Sequence, residues 1–384
     1  MSITLPLGFR AAGVTAGLKI SGDPDVAVVL NDGPSYAAAA VFTLNRVKAA
    51  PVRWTEQVAR RGQVRAVVLN SGGANACTGP AGDDDTRLTA ERLADAISCP
   101  AAEIAVCSTG LIGERLAMEL LLPAVDKAAA AADRDGGGTA AADAIRTTDT
   151  TAKEAFCQGP SYSVAGMAKG AAMLAPALAT MLCVLTTDAE LSPAELDAAL
   201  RLAADQTFDR LDTDGCMSTN DTVLLLASGA AGVRPDPGEF GEALTSVCDD
   251  LARQMQLDAE GASKAIAVEV TGAASEADAI TAGRAVARCD LLKCAIAGED
   301  PNWGRVLAAV GTTDAVFDPD QLNVAINGVW VCRNGFAGDD RSGVDLTPRD
   351  VTITVDLRAG QHAASIRTTD LTAAYVHENS AYST

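Results

Sequence analysis

Apolar runs alternate with amphipathic segments along the whole chain of 384 residues. Short runs rich in valine and isoleucine, bounded by turn residues, are typical of β-strands, whereas apolar positions spaced three or four apart are typical of helices. Strands are predicted at residues 26–30, 38–42, 64–69, 104–107, 163–167, 181–186, 222–226, 265–270, 322–326, 351–357 and 363–367. Helices are predicted at 84–97, 114–131, 194–203, 239–257, 276–289 and 305–310.

Two local signals refine this pattern. Ser192 and Glu195 flank Pro193 in a capping box that predicts the start of the third helix. Residues 128–142 interrupt an alanine-rich helix with Asp-Arg-Asp-Gly-Gly-Gly, which indicates a flexible surface loop. Strands and helices in alternation over the full length predict an α/β or α+β protein.

The charge balance excludes several classes of partner. With 50 acidic and 30 basic residues the net charge is −20, so the long-range field opposes binding to nucleic acid and to anionic membranes. The uncharged stretch 170–187 contains Pro176 and ends at Asp188, which favours a buried core over a membrane span. The first residues lack a basic region followed by a long apolar one, so we expect a cytoplasmic protein.

Histidine is scarce, which limits the chemistry available. The chain has two histidines, His362 and His377, and its ten cysteines form no C-x-x-C pair, so neither a histidine-based triad nor a metal site is predicted. A threonine whose own α-amine acts as base needs no histidine, provided the preceding peptide bond has been cut. Thr180 follows the small residue Ala179 and precedes an apolar run, although a buried strand threonine is the alternative interpretation.

Nine sequence blocks, in order along the chain, resemble the ornithine acetyltransferase family, also called glutamate N-acetyltransferase or ArgJ. They are GFRAAGV (8–14), VFT (41–43), NSGGANACTG (70–79), CSTGLIG (107–113), the segment 169–188, STNDT (218–222), DAEG (258–261), DPNWGR (300–305) and ENSAY (378–382). The resemblance implies a sandwich of β-sheets between helices, as in the self-processing DmpA-like aminopeptidases. It also implies an enzyme of arginine biosynthesis.

The same resemblance implies maturation by self-cleavage between Ala179 and Thr180. The products would be an alpha chain, residues 1–179, and a beta chain, residues 180–384, interleaved into one folded unit. Two copies would associate as an (αβ)₂ heterotetramer. Many relatives carry a second glycine at the position of Ala172, where an alanine would strain the turn if the position required a positive φ. We expect the alanine to be tolerated, with any effect limited to the speed of processing.

The implied reaction moves an acetyl group from N²-acetyl-L-ornithine to L-glutamate. Thr180 would carry the acetyl group as an ester, which makes the kinetics ping-pong, and Thr109 with Gly110 would form the oxyanion hole. The resemblance implies no cofactor, and acetyl-CoA stays open as a second acetyl donor.

The resemblance also implies a set of substrate contacts. Glu260 would pair with the substrate α-ammonium or with the ornithine side-chain amine, and the C-terminal tail would fold into the site. Thr147 cannot be separated from Thr148 by its motif. The implied substrate-binding residues are Thr147, Lys169, Thr180, Glu260, Asn379 and Thr384.

Three alternatives remain open on sequence grounds. An ornithine acetyltransferase of the clavulanate type would perform the same chemistry in another pathway. A hydrolase or aminopeptidase with an N-terminal threonine would release product without an acceptor. A binding or scaffolding protein would keep the fold and remain uncleaved.

Overall fold

The computed structural model describes residues 2–175 and 181–381. This part of the chain forms two compact units. The first unit takes the chain up to Asp209 and then Cys216–Asp258, and the second takes Arg210–Gly215 and the chain from Ala259 onward. Ala179, Thr180 and Thr384 lie outside the described residues.

The first unit contains two β-sheets. Its strands are β1 (Phe9–Val14), β2 (Val26–Asn31), β3 (Ala37–Phe42), β4 (Ala66–Asn70), β5 (Ile104–Ser108), β6 (Lys153–Gln158), β7 (Ser163–Lys169), β8 (Leu182–Thr187) and β9 (Thr222–Ala227). One sheet has the order β1-β2-β4-β5 and the other β3-β9-β8-β7-β6. Its helices are α1 (Ala50–Ala59), α2 (Gly79–Ile97), α3 (Met118–Ala131), α4 (Gly137–Ala144), α5 (Pro193–Gln206) and α6 (Pro237–Leu257).

The two sheets of the first unit pack face to face. Val29 and Leu69 of one sheet share a buried cluster with Val184 and Leu224 of the other. Helices α2 and α3 cover the outer face of the first sheet, while α5 and α6 pack on the second. Because both faces of each sheet are covered, strands such as β2, β8 and β9 are buried at every residue. The predicted sandwich of β-sheets between helices is confirmed.

The second unit is built on one six-stranded sheet. Its strands are β10 (Ala265–Ala273), β11 (Asn323–Ile326), β12 (Val329–Arg333), β13 (Phe336–Ala337), β14 (Asp350–Asp356) and β15 (His362–Thr369), in the order β13-β12-β11-β14-β10-β15. Its helices are α7 (Glu276–Ala287), α8 (Asp290–Ala297), α9 (Trp303–Val310) and α10 (Ala373–Ala381). Val286 of α7 and Val306 of α9 pack with sheet residues such as Ile266 in a single apolar core.

The prediction of a surface loop at 128–142 is confirmed for residues 132–136, which join two helices and are exposed from Asp133 to Gly136, and it is wrong for the flanking residues. Helix α3 continues to Ala131 and α4 begins at Gly137, with both Gly137 and Gly138 buried. A Cβ atom on Gly137 would lie 1.9 Å from the carbonyl oxygen of Ala11 in β1. The glycines therefore permit close packing of α4 against a strand, rather than loop motion.

The uncharged stretch 170–187 belongs to the core, as the sequence predicts, where the structure describes it. Its last six residues form β8, the middle strand of the five-stranded sheet, and each of them is buried. Across ranges 2–175 and 181–381 we find no helix with the length and apolar character needed to cross a membrane.

Candidate active site

A tight turn after β5 carries the two residues assigned to the oxyanion hole. The amide of Thr109 donates to the carbonyl oxygen of Asn70 at 2.9 Å, and the carbonyl oxygen of Thr109 accepts from Gly73 N at 3.0 Å. Gly110 has a φ of +128°, and a Cβ atom there would lie 2.7 Å from Gly73 N. Only glycine fits this position, and the two hydrogen bonds hold the backbone of Thr109 in one conformation.

Lys169 reaches this turn from the other sheet. It is the last residue of β7, its side chain is buried, and its Nζ lies 3.5 Å from Oγ1 of Thr109. The structure thus brings together three of the residues selected from the sequence, Thr109, Gly110 and Lys169. A buried ammonium beside a hydroxyl and a constrained turn is suited to binding an anionic group.

Asp149 supplies a carboxylate next to this lysine, and sequence reasoning missed it. Its Oδ1 accepts from Gly170 N at 2.7 Å and from Lys153 Nζ at 2.6 Å, while Oδ2 accepts from Thr147 N at 3.1 Å. Burial alone would raise the pKa of Asp149, but the charges of Lys169 and Lys153 and these hydrogen bonds hold it well below its usual range. Asp149 is therefore ionised at neutral pH.

Lys153 links Asp149 to the end of helix α6. Its fully buried Nζ lies 2.6 Å from Oδ2 of Asp258, whose carboxylate also accepts from Thr150 N at 3.0 Å. These bonds anchor the loop 145–152 that joins α4 to β6. Thr147 and Thr148 are both half-buried in this loop, so the choice between them as substrate contact stays a prediction.

The entrance to β8 is fixed by a second carboxylate. Met181 directly follows Thr180, and its amide donates to Oδ1 of Asp221 at 3.0 Å. The carbonyl oxygen of Met181 accepts from Thr222 N at 3.2 Å, which starts the pairing of β8 with β9. The chain is thus held at the residue after the predicted nucleophile. The signal for Asp221 was its place in the STNDT block, to which sequence reasoning assigned no role.

The environment of Asp221 differs from that of Asp149. Burial raises the pKa of Asp221 well above its usual range and outweighs the hydrogen bonds from Met181 and Ser218 and the charge of Lys169. Within the described part of the chain, Oδ2 of Asp221 has no hydrogen-bond partner. Such a group lowers the stability of the fold.

The expectation that an alanine is tolerated at position 172 agrees with the backbone of this turn. Positive φ angles near it occur at Met173, with φ +54°, and at Gly170, whose φ of +158° is close to extended backbone. Ala172 itself has no positive φ. An alanine at this position therefore meets no backbone penalty, and slower processing does not follow from it.

Glu260 and Asn379 belong to the second unit. Glu260 is buried, and the adjacent Gly261 packs so closely on the start of α10 that a Cβ atom would lie 2.2 Å from Tyr375 N. Asn379 is exposed on α10, where its Nδ2 donates to the carbonyl oxygen of Tyr375 at 3.0 Å. Their roles as substrate contacts stay predictions.

Comparison with known proteins gives matches over the full chain. The family model described as ArgJ family matches residues 10–384. The chain is 69% identical over 384 residues to arginine biosynthesis bifunctional protein ArgJ of Thermobifida fusca, covering 100% of both chains. It is 62% identical to the protein of the same name from Streptomyces coelicolor, again over 100% of both, and 57% identical to that of Mycobacterium tuberculosis, over 99% of this chain and 96% of the relative.

Two solved structures are similar to parts of the chain. One is ornithine acetyltransferase of Mycobacterium tuberculosis complexed with ornithine, with 49% identity, a TM-score of 0.42, and coverage of 47% of this chain and 96% of that one. The other is the arginine biosynthesis bifunctional protein ArgJ of Bacillus halodurans. It has 34% identity, a TM-score of 0.48, and coverage of 51% of this chain and 97% of that one.

Proposed function

This chain belongs to the ArgJ family, and on that premise we propose that it is a glutamate N-acetyltransferase that moves acetyl from N²-acetyl-L-ornithine to L-glutamate through an acetyl ester of Thr180. The predictions of family membership and of an acyltransferase of arginine biosynthesis are confirmed at that level by the family model and the curated relatives. The observation that carries the finer proposal is the approach of buried Lys169 to the Thr109–Gly110 turn, 3.5 Å from Nζ to Oγ1.

Maturation would begin with cleavage of the Ala179–Thr180 bond, giving chains 1–179 and 180–384. Strand β7 lies before this bond and β8 after it, and the two pair as antiparallel neighbours in one buried sheet. The two products would therefore remain together after the cut. Association as (αβ)₂ remains part of the proposal.

Acetyl transfer would proceed in two balanced halves. The free α-amine of Thr180 takes the proton from its own Oγ, which attacks the acetyl carbonyl of N²-acetyl-L-ornithine. The Thr109 hydroxyl and the Gly110 amide stabilise the tetrahedral oxyanion, after which the C–N bond breaks and the ornithine nitrogen takes the proton. The amine of L-glutamate then attacks the acetyl ester, forms N-acetyl-L-glutamate and returns the proton to Thr180 Oγ.

Lys169 would bind the carboxylate that both substrates carry. A buried cation is needed because the protein has a net charge of −20, which opposes anionic substrates at long range. Glu260 would take the ammonium groups, and Thr147, Asn379 and Thr384 complete the proposed substrate contacts. The threonine itself carries the acyl group, so the scheme needs no cofactor. We include acetyl-CoA as a second candidate donor, and the cytoplasm as the location.

Intact mass spectrometry of the purified protein beside its Thr180→Ala variant tests this proposal. We expect two chains in the wild type, split before Thr180, and a single chain in the variant. Thr180→Ser serves as the matched control, because serine keeps the hydroxyl and should still be cut. A single uncut chain in the wild type would exclude the mechanism and favour the binding-protein alternative.

A transfer assay then separates the enzymatic alternatives. With N²-acetyl-L-ornithine as donor, we expect N-acetyl-L-glutamate and ornithine when L-glutamate is present. Release of acetate at the same rate without glutamate would instead indicate a hydrolase. Rescue of a bacterial arginine auxotroph distinguishes the arginine enzyme from the clavulanate type.

A further inference from the structure

The loop before β9 joins the two halves of the candidate active site. Asn220 and Asp221 are consecutive residues in this loop, and both side chains are buried. Nδ2 of Asn220 donates to the carbonyl oxygen of Ser108 at 2.7 Å and to that of Ala74 at 2.7 Å. Because Ser108 directly precedes Thr109, Asn220 holds the end of the strand that leads into the Thr109–Gly110 turn.

Asp221 holds the other half of the candidate active site, at the residue that follows Thr180. Its Oδ1 lies 3.0 Å from Met181 N, which is covalently bonded to the carbonyl carbon of Thr180. The carbonyl oxygen of Asp221 also accepts a hydrogen bond from Thr43 N at 3.0 Å, so the loop is also anchored to the residue that follows β3. Two adjacent side chains thus connect the turn at Thr109 with the residue that follows Thr180.

Burial of the Asp221 side chain is costly for stability, because burial raises the pKa of this carboxyl group well above its usual range. Oδ2 is buried and has no hydrogen-bond partner among residues 2–175 and 181–381. Replacing such a buried polar group by an apolar one is often neutral or stabilising. A buried polar atom without a partner calls for an explanation, and a role at the site is one.

We propose that Asn220 and Asp221 are positioning residues that set the separation between the Thr109–Gly110 turn and the nucleophile at 180. This inference rests on the proposed function of Thr180. Acyl transfer needs the nucleophile and the oxyanion donors in a fixed relation, and a misplacement of about 1 Å can cost about 10²-fold in rate. Asn220 holds the strand end that leads into the Thr109–Gly110 turn, and Asp221 holds Met181, the residue after the nucleophile.

Substitutions at Asp221 test the contact to Met181. Asp221→Ala removes the acceptor, so we expect cleavage to slow by about tenfold or more. In the cleaved fraction, kcat should fall about 10–100-fold with KM changed less than about twofold, because the proposed substrate contacts do not include Asp221. Asp221→Asn keeps an acceptor for Met181 N, and its kcat should stay within about threefold of the wild type.

Asp188 provides a matched control at the opposite end of β8. It is also buried and also accepts from a backbone amide, that of Ser163 at 2.7 Å. Asp188→Ala removes a structural acceptor of the same kind, so it should lower the melting temperature and leave kcat of the folded enzyme within about twofold. An equal fall of kcat in both alanine variants would overturn the positioning role.

Asn220→Ala tests the contact with Ser108 independently. It still tests the positioning role if Asp221→Ala fails to fold. We expect the same fall in kcat with little change in KM. The double variant should lose less than the product of the two single losses, because both residues control one separation. If neither single variant lowers kcat although the wild type is cleaved and Thr180→Ala is inactive, the inference fails and the proposed function stands. Activity in Thr180→Ala would instead remove the proposed function.

Discussion

Two buried carboxylates of the first unit, Asp149 and Asp221, hold the two ends of the segment that contains the predicted cleavage site. Asp149 accepts from Gly170 N at one end, and Asp221 accepts from Met181 N at the other. The charges of Lys169 and Lys153 lower the pKa of Asp149. Burial raises the pKa of Asp221, whose Oδ2 has no hydrogen-bond partner within ranges 2–175 and 181–381. Similar contacts to the backbone therefore occur in opposite electrostatic settings.

This difference separates a stabilising carboxylate from a costly one. The folded-state pKa of Asp149 is depressed, so its stabilisation is complete above the unfolded-state pKa of about 3.9 and is lost as the pH falls toward the folded value. The folded-state pKa of Asp221 is raised, so stability is lost as the pH rises from about 3.9 toward that value. Near neutral pH the first residue supports the fold and the second opposes it.

The largest effect should come from Lys169, whose charge acts on both carboxylates. Lys169→Met removes the cation beside Thr109, and we expect kcat/KM for acetyl transfer to fall by about 10²–10³-fold, the size typical for loss of one donor that stabilises charge in the transition state. Steady-state assays with both substrates measure it. Lys127→Met, at an exposed lysine of α3, is the control and should keep wild-type activity. Retention of activity in Lys169→Met would separate the lysine from the chemistry.

Substituting each aspartate by asparagine should sharpen the contrast in stability. Asp149→Asn removes the charge that balances buried Lys153 and Lys169, so we expect a loss of about 3 kcal/mol in the free energy of unfolding. Asp221→Asn is neutral at every pH and keeps an acceptor for Met181 N, so it should cause no such loss. Urea denaturation of both variants in the uncut Thr180→Ala background measures these values at pH 7. Equal losses would contradict the distinction.

The pH dependence of stability should show a smaller effect of opposite sign. In wild type, the Asp221 carboxyl group ionises in the unfolded chain above about pH 4, whereas burial raises its pKa in the folded protein, so stability falls by at most about 1.4 kcal/mol per pH unit. Asp221→Asn cannot ionise, so it should gain relative to wild type between pH 5 and pH 7. Urea midpoints at several pH values test this, and parallel curves would exclude a raised pKa for Asp221.

The smallest effect concerns the segment between the two anchors. Because Ala172 has no positive φ, Ala172→Gly relieves no strain, and we expect the cleavage rate to stay within about twofold of the wild type. A time course of intact mass during expression measures it. Met173→Gly is the informative companion, since Met173 does have a positive φ of +54°. An increase of tenfold with Ala172→Gly would restore the idea of strain at that position.

Much of the first unit could be predicted from its pattern because its strands are buried on both faces. Continuous apolar runs such as β2, β8 and β9 are recognisable without knowledge of their partners. The capping box at Ser192 and Glu195 is confirmed, with both reciprocal bonds present. Local chemistry decides these features, so local sequence reveals them.

The features that were missed depend on distant neighbours. Strand β6 was not predicted, because it contains Lys153 and a lysine is not typical of a buried strand. The tertiary ion pairs with Asp149 and Asp258 allow this lysine to be buried. The glycines at the start of α4 suggest a loop until β1 is seen against them. Asp149 and Asp221 lie in polar stretches typical of turns, and their importance comes from the tertiary proximity of Lys169.

The arrangement of the two anchors has a consequence for the ends that cleavage would create. Asp149 and Gly170 both precede the Ala179–Thr180 bond, and Asp221 and Met181 both follow it. Each anchor therefore joins two residues of the same product chain, and hydrolysis of that bond removes neither hydrogen bond. After cleavage, the Asp149 bond would hold the chain before the new C-terminus at Ala179, and the Asp221 bond would hold the residue after the new N-terminus at Thr180. Both hydrogen bonds are already present before the cut.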